Sequence, residues 1–165
     1  MDDRYGAKAR QVRVVALCLI QESDRLLVAE DHDTVTGETF YLPIGGHVEF
    51  GEMSPDTVRR ELREELNAEV SDLQYLGTIE NAFTWEGQMG HEIVLLYKGR
   101  LATGSTMSND HQIVEHAGDA SWTFRVRWVP IALVRQGLAT LYPSGALDLM
   151  TGSTEAVVRN QVPSN

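Results

Sequence analysis

Gly45-Gly46-His47-Val48-Glu49-Phe50-Gly51-Glu52 is followed, after seven further residues, by Arg60-Glu61-Leu62-Arg63-Glu64-Glu65. The second part belongs to the clearest predicted helix of the chain, residues 54–66. Ser54 suits the N-cap, and Pro55 suits the first helical position, where a missing N–H costs nothing. Val58, Leu62 and Leu66 recur every four residues and give one apolar stripe to bury. Asn67 follows the last turn, where a residue tolerant of the left-handed conformation is wanted.

Glu61, Glu64 and Glu65 stand at i, i+3 and i+4, so their carboxylates share a helix face. Like charges at this spacing cost roughly 0.2–0.5 kcal/mol per pair. Two readings are open from the helix alone. The acids form a solvated face, salt-bridged by Arg59, Arg60 and Arg63, or they converge on a hard cation such as Mg²⁺, which takes oxygen ligands. The preceding loop favours the second. Gly45, Gly46 and Gly51 let the backbone come close to a ligand and turn carbonyls toward a cation.

The segment Gly46–Ala68 resembles the Nudix box: Gly, five variable residues, Glu, seven variable residues, then Arg-Glu-aliphatic-x-Glu-Glu-x-Gly-aliphatic. Gly46, Glu52, Arg60, Glu61, Leu62, Glu64 and Glu65 match in register, while Asn67 replaces the Gly and Ala68 the final aliphatic residue. Asn is a common occupant of the left-handed conformation, so the fold should tolerate the change. The resemblance implies an α/β fold, a Nudix-type α/β/α sandwich with a mixed β-sheet. It implies Mg²⁺ (with Mn²⁺ as a substitute) held by Glu61, Glu64, Glu65 and the backbone carbonyl of Gly45. It gives Glu52 and Arg60 a supporting role, paired so as to fix the loop, together with Gly46. The general base often lies outside the box in this family; the candidates are Glu115 and Asp110, on a polar loop over 103–119, and Glu92, with Glu115 favoured. His47 lies in the box loop, within reach of phosphate.

Trp85 lies 17 residues past the box, in Asn81-Ala-Phe-Thr-Trp-Glu-Gly, a region where Nudix subfamilies carry specificity residues. The absence of proline between Pro55 and Pro130 argues against a typical ADP-ribose enzyme. An indole can stack on a nucleobase for ~1–3 kcal/mol, or Trp85 is a core aromatic of a hairpin. Phe83, two residues away, falls on the same strand face as its partner or support.

The remainder of the chain fits this reading. A single domain over 1–165 is expected, with a loose tail from about 151. Strands are expected over 12–20, 25–30, 39–42, 70–83, 92–101 and 121–129, with the fourth and fifth joined by a loop over 87–90 and short helices over 130–136 and 146–150. Lys plus Arg is 14 and Asp plus Glu 24, a net charge of 14 − 24 = −10. That argues against a duplex-binding protein but not against a small phosphorylated substrate bound through cations. The lone Cys18 sits in an apolar run and reads as a buried small hydrophobe, which excludes an intramolecular disulfide. The seven-residue run 14–20 is too short to span a bilayer, which takes ~20 residues. The N-terminus shows no signal-peptide pattern, and a cytoplasmic monomer or homodimer is expected. His91-Glu92 lacks a second histidine at position 95, and His111 and His116 read as surface residues rather than metal ligands.

These observations predict a metal-dependent hydrolase of phosphoanhydride bonds in nucleoside di- or triphosphates or nucleoside-diphosphate-linked compounds. An ADP-ribose or nucleotide-sugar pyrophosphatase is the second enzymatic reading. A non-catalytic nucleotide sensor is the third, weighed down by the retained carboxylates, since sensors of this fold usually lose them.

Overall fold

The computed structural model describes residues 11–105, 107–108, 111–117 and 120–152; the tail expected to be loose lies mostly outside this range. Ten elements follow in order: β1 (Arg13–Glu22), β2 (Arg25–His32), β3 (Thr39–His47), α1 (Ser54–Leu66), β4 (Val70–Trp85), β5 (Gln88–Leu101), β6 (His111–Ala117), β7 (Ala120–Pro130), α2 (Ile131–Arg135) and α3 (Ala146–Thr151). The strands are linked as β4-β5-β1-β3-β2-β7-β6, and the sheet is mixed because β1 runs parallel to β5. β1 pairs β3 over Val15–Cys18 and then β2 over Ile20–Glu22, so the β2–β3 hairpin branches away from it.

Alternation along β1 sorts the core into two layers. Ala16, Cys18 and Ile20 pack with Val58, Leu62 and Leu66 of α1. Val15 and Leu19 face the opposite layer, with Ile131, Ala139 and Ala146 from the α2–α3 region. Helices thus cover both faces, the α/β/α arrangement expected. Burial drives the Cys18 thiol far above its usual pKa, which leaves it an inert packing group.

Some boundaries differ from the sequence reading. β3 continues through Pro43, Gly45 and Gly46 to His47, because β1 offers Val15–Cys18 as partners there. The β4–β5 loop is Glu86-Gly87, not residues 87–90. Both residues have positive φ (50° and 72°), the twist a two-residue hairpin connection requires. Residues 111–117 form a strand, not part of a polar loop. β6 is an edge strand whose backbone pairs with β7, with Gln112 exposed on it. Ser54 lies inside α1 rather than capping it: the first helical bonds run to the Met53 carbonyl, and the Ser54 hydroxyl bonds Tyr97 at 2.7 Å.

Candidate active site

α1 is closed at its C-terminal end by Asn67, at φ 48° and ψ 40°, whose N–H bonds the Arg63 carbonyl. The Asn67 backbone therefore adopts the left-handed conformation that the family's glycine would supply. This end fixes the phase of the helix, with Val58 and Leu62 fully buried against the sheet. The acidic face is then turned along the end of β3.

Gly46 sits directly against the Glu61 carboxylate, so close that a Cβ at position 46 would overlap it. Gly45, at φ +149°, is pressed against the backbone of Ala16 and Leu17 on β1, leaving no room for a side chain. Glycine is required at 45 by the sheet, whereas at 46 it makes room for the acid opposite.

Arg60 organises the acids. Its Nε and Nη2 grip both Glu52 oxygens, at 2.9 and 3.1 Å. Nη1 donates to Glu61 at 2.8 Å and to Glu64 at 3.2 Å, and Nη2 also donates to the His47 carbonyl at 3.0 Å. The planar guanidinium fork thus joins helix, loop and strand end. Glu52 also accepts from the Thr57 hydroxyl at 2.7 Å. Bonding to Arg60 and then to Thr57 holds the Glu52 carboxyl down at about 2. Because protons bind it less readily folded than unfolded, this contribution to stability is complete above pH 4.5 and fades as pH falls toward 2. The stability gap between wild type and Glu52→Gln should therefore narrow over that window. A gap independent of pH in acid denaturation would show that Glu52 plays no such part.

The donor set suits a hard divalent cation. Glu61, Glu64 and Glu65 offer carboxylate oxygens, Gly45 a carbonyl, and the missing Cβ at Gly46 gives the Glu61 carboxylate its room. Among the described residues no three His, Cys, Asp or Glu side chains already converge on one point; Arg60 holds two of the acids instead.

A cavity opens between the β4–β5 hairpin and the β2–β3 hairpin. Its lining includes Asn81, Phe83, Trp85 and Glu92 on one side and Phe40 and Tyr142 on the other. Phe40 and Tyr142 meet edge-on at 5.6 Å. Phe83 lies across Gly90, its partner in register, where a Cβ would overlap the ring. The rim is tied by Asp33, whose buried carboxylate accepts the N–H groups of Val35, Thr36 and Glu86. Burial raises its pKa, but the bonds from Thr36, Val35 and Glu86 together outweigh that and hold it below the ordinary carboxylate value. Glu86 in turn accepts from the Thr34 N–H and hydroxyl, at 2.5 and 2.6 Å.

The structure thus brings Gly45, Gly46, His47, Glu52, Arg60, Glu61 and Glu64 into one cluster, and Phe83, Trp85 and Glu92 into a separate cavity. Arg13 stands between them, bonding Glu92 at 2.5 Å and approaching His47 Nε2 at 3.4 Å. Partial burial, and then the charge of Arg13, lower the His47 pKa. Glu115 sits on β6 opposite Trp122, in a strand that contacts α1; Asp110 lies outside the described residues. Arg13, Asn81, Asp33 and Tyr142 were not singled out from sequence. Only Asn81 carried a signal there, alternating with Phe83 and Trp85.

The profile of the NUDIX domain family matches residues 9–146, and the chain belongs to that family. It is 32% identical over 114 residues to an NAD-capped RNA hydrolase NudC from Pseudomonas fluorescens; the match covers 69% of this chain and 37% of that protein. The chain therefore spans little more than a third of that relative's length. In fold it is similar to a NUDIX hydrolase from Nitrosomonas europaea, with TM-score 0.55, 16% identity and 87% and 88% of the two chains covered. An ADP compounds hydrolase is similar at TM-score 0.55 and 17% identity, over 88% and 74% of the chains. Among the described residues no helix is long and apolar enough to cross a membrane.

Proposed function

We propose that this chain, as a single domain over 1–165, is a pyrophosphohydrolase that uses Mg²⁺, or Mn²⁺ in its place. Its substrate is a nucleoside di- or triphosphate, or a compound linked through a nucleoside diphosphate. The seating of Glu61 against Gly46, with Arg60 tying Glu61 and Glu64 to the loop, carries this reading. The names of the relatives, hydrolases of NAD-capped RNA and of ADP compounds, support it.

Glu61, Glu64, Glu65 and the Gly45 carbonyl would hold the metal. Bound there, a divalent cation activates water and offsets charge on the phosphate oxygens. Arg60 and Glu52 keep the helix and loop in register, and Glu61 and Glu64 would turn from Arg60 to the metal. His47, at the strand end facing Arg13, contacts phosphate. Glu115, on the strand that contacts α1, takes the proton from the attacking water. Phe83 and Trp85 bind the base.

The test is chromatographic detection of both cleavage products with Mg²⁺ from nucleoside di- and triphosphates, dinucleoside polyphosphates, ADP-ribose and nucleotide sugars, with EDTA controls. A metal-dependent hit defines the bond cut and hence the substrate group. Silence across the panel, repeated with Mn²⁺, overturns the reading in favour of a sensor. With a substrate in hand, Trp85→Ala should raise KM about tenfold and change kcat little, because stacking binds ground and transition states alike. An unchanged KM would return Trp85 to a packing role.

A further inference from the structure

On one face of the β4–β5 hairpin the residues opposite one another are Ile79 and Val94, Asn81 and Glu92, Phe83 and Gly90, then Trp85 and Gln88. The first pair is core. The third and fourth supply two aromatic rings of the cavity wall. Between core and aromatics, Asn81 and Glu92 form a polar step, and Arg13 on β1 extends the row, being in register with Glu92. This three-strand polar row lies between an apolar core and an aromatic wall, its members bonded to one another.

The cavity's charges narrow what it takes. Its described lining holds Asp33, Glu38, Glu80 and Glu92 and no Lys or Arg, so a polyphosphate is repelled from it. All four acids have partners, and they differ in burial and in how they are held. Asp33 accepts three backbone N–H groups. Glu38 accepts the Tyr142 hydroxyl at 3.3 Å. Glu80, half-exposed, pairs with His91 at 2.9 Å. Glu92 is only 13% exposed, with one oxygen on Arg13 and a further bond from Asn81. A carboxylate has about four acceptor positions and no donor when ionised, so acceptor capacity remains on a rigidly held group.

We propose that Glu92 is a specificity-determining residue: it accepts hydrogen bonds from the amine-bearing edge of a nucleobase seated between Phe83 and Trp85 and the Phe40–Tyr142 wall. This rests on the reading that the chain takes a nucleotide. Guanine offers adjacent N1–H and N2–H donors, and cytosine an N4 amine. Hypoxanthine lacks the amine, and uracil flanks its single N–H with two carbonyl oxygens that a carboxylate repels. Arg13 fixes the carboxylate and reaches His47 with its other nitrogen, so the base end lies at Glu92 and the phosphates extend toward the box.

The experiment measures binding of GMP, IMP, CMP and UMP by calorimetry in Mg²⁺. None of these has a phosphoanhydride bond, so the result does not depend on turnover. Wild type should prefer GMP to IMP and CMP to UMP by about 5–100-fold, and Glu92→Gln should bring both ratios within about twofold. Glu92→Asp, which keeps the charge for Arg13, should retain part of the preference and covers the case of a misfolded glutamine variant. Wild-type ratios near one, ratios unchanged in both variants, or no binding of any of the four overturn the proposal. If the ratios hold while the hydrolysis panel stays silent, the proposed activity fails and this assignment stands; turnover without base preference means the reverse.

Discussion

Glu65→Gln is expected to lower turnover by roughly 10²–10⁴-fold, the range lost with a positioned acid–base or metal-linked group, while the melting temperature stays within a few degrees of wild type. The substitution removes one negative charge and keeps shape and helix propensity. Glu65 is partly buried beside the stripe of Val58, Leu62 and Leu66, and glutamine fills the same volume there, so the packing should be kept. It also relieves repulsion from Glu61 one turn earlier, which acts in favour of the fold by a few tenths of a kcal/mol at most, about the size of an i,i+4 pair. Activity and stability should move independently. Steady-state rates across a Mg²⁺ titration, with thermal melts on the same samples, check this. An unchanged rate with the same Mg²⁺ dependence would remove α1 from the metal site.

The neighbouring glycines should separate when each is changed to alanine. At Gly45 the new Cβ would meet the backbone of Ala16 and Leu17, at a positive φ of 149°. Neither strand can give way without breaking the β1–β3 pairing. We expect a loss of about 3 kcal/mol from overpacking and backbone strain, or on the order of 10 °C in Tm. At Gly46 the atoms met are the far end of the Glu61 side chain, and no positive φ constrains the residue. Glu61 can swing aside, so Gly46→Ala should fold nearly as well as wild type. It should nonetheless lose activity by about 10²-fold, because a displaced ligand costs both metal affinity and geometry. Equal destabilisation of the two variants would contradict the placement of Gly46, and a fully active Gly46→Ala would show that Glu61 need not sit where it does.

The helix was legible in sequence because its signals are local. Proline near the start, an apolar residue every fourth position and Asn67 at the end act within one or two turns. The exchange of Ser54 for Met53 at the cap escaped notice because the Ser54 hydroxyl has a remote partner, Tyr97. Strand β6 was missed for a related reason. An edge strand needs only one hydrogen-bonded neighbour and can carry His111, Gln112 and Glu115 without any apolar alternation strong enough to stand out. The hairpin was legible as a pair of strands but not in its turn, since Glu86 adopts a positive φ that glutamate does not advertise.

By itself the sequence determined the acid-bearing helix, the glycine loop before it, the absence of a disulfide framework and the family's fold. All of these rest on residue type at fixed short spacing. Tertiary structure alone decided that Gly46 faces Glu61, that Arg60 links Glu52, Glu61 and Glu64 with the His47 carbonyl, and that Arg13, Glu92 and Asn81 form one row. Those partners are set by strand register and by the branching of β2–β3 from β1. Register depends on which faces are buried across the whole sheet, a sum over many weak contacts that no short stretch of the chain encodes.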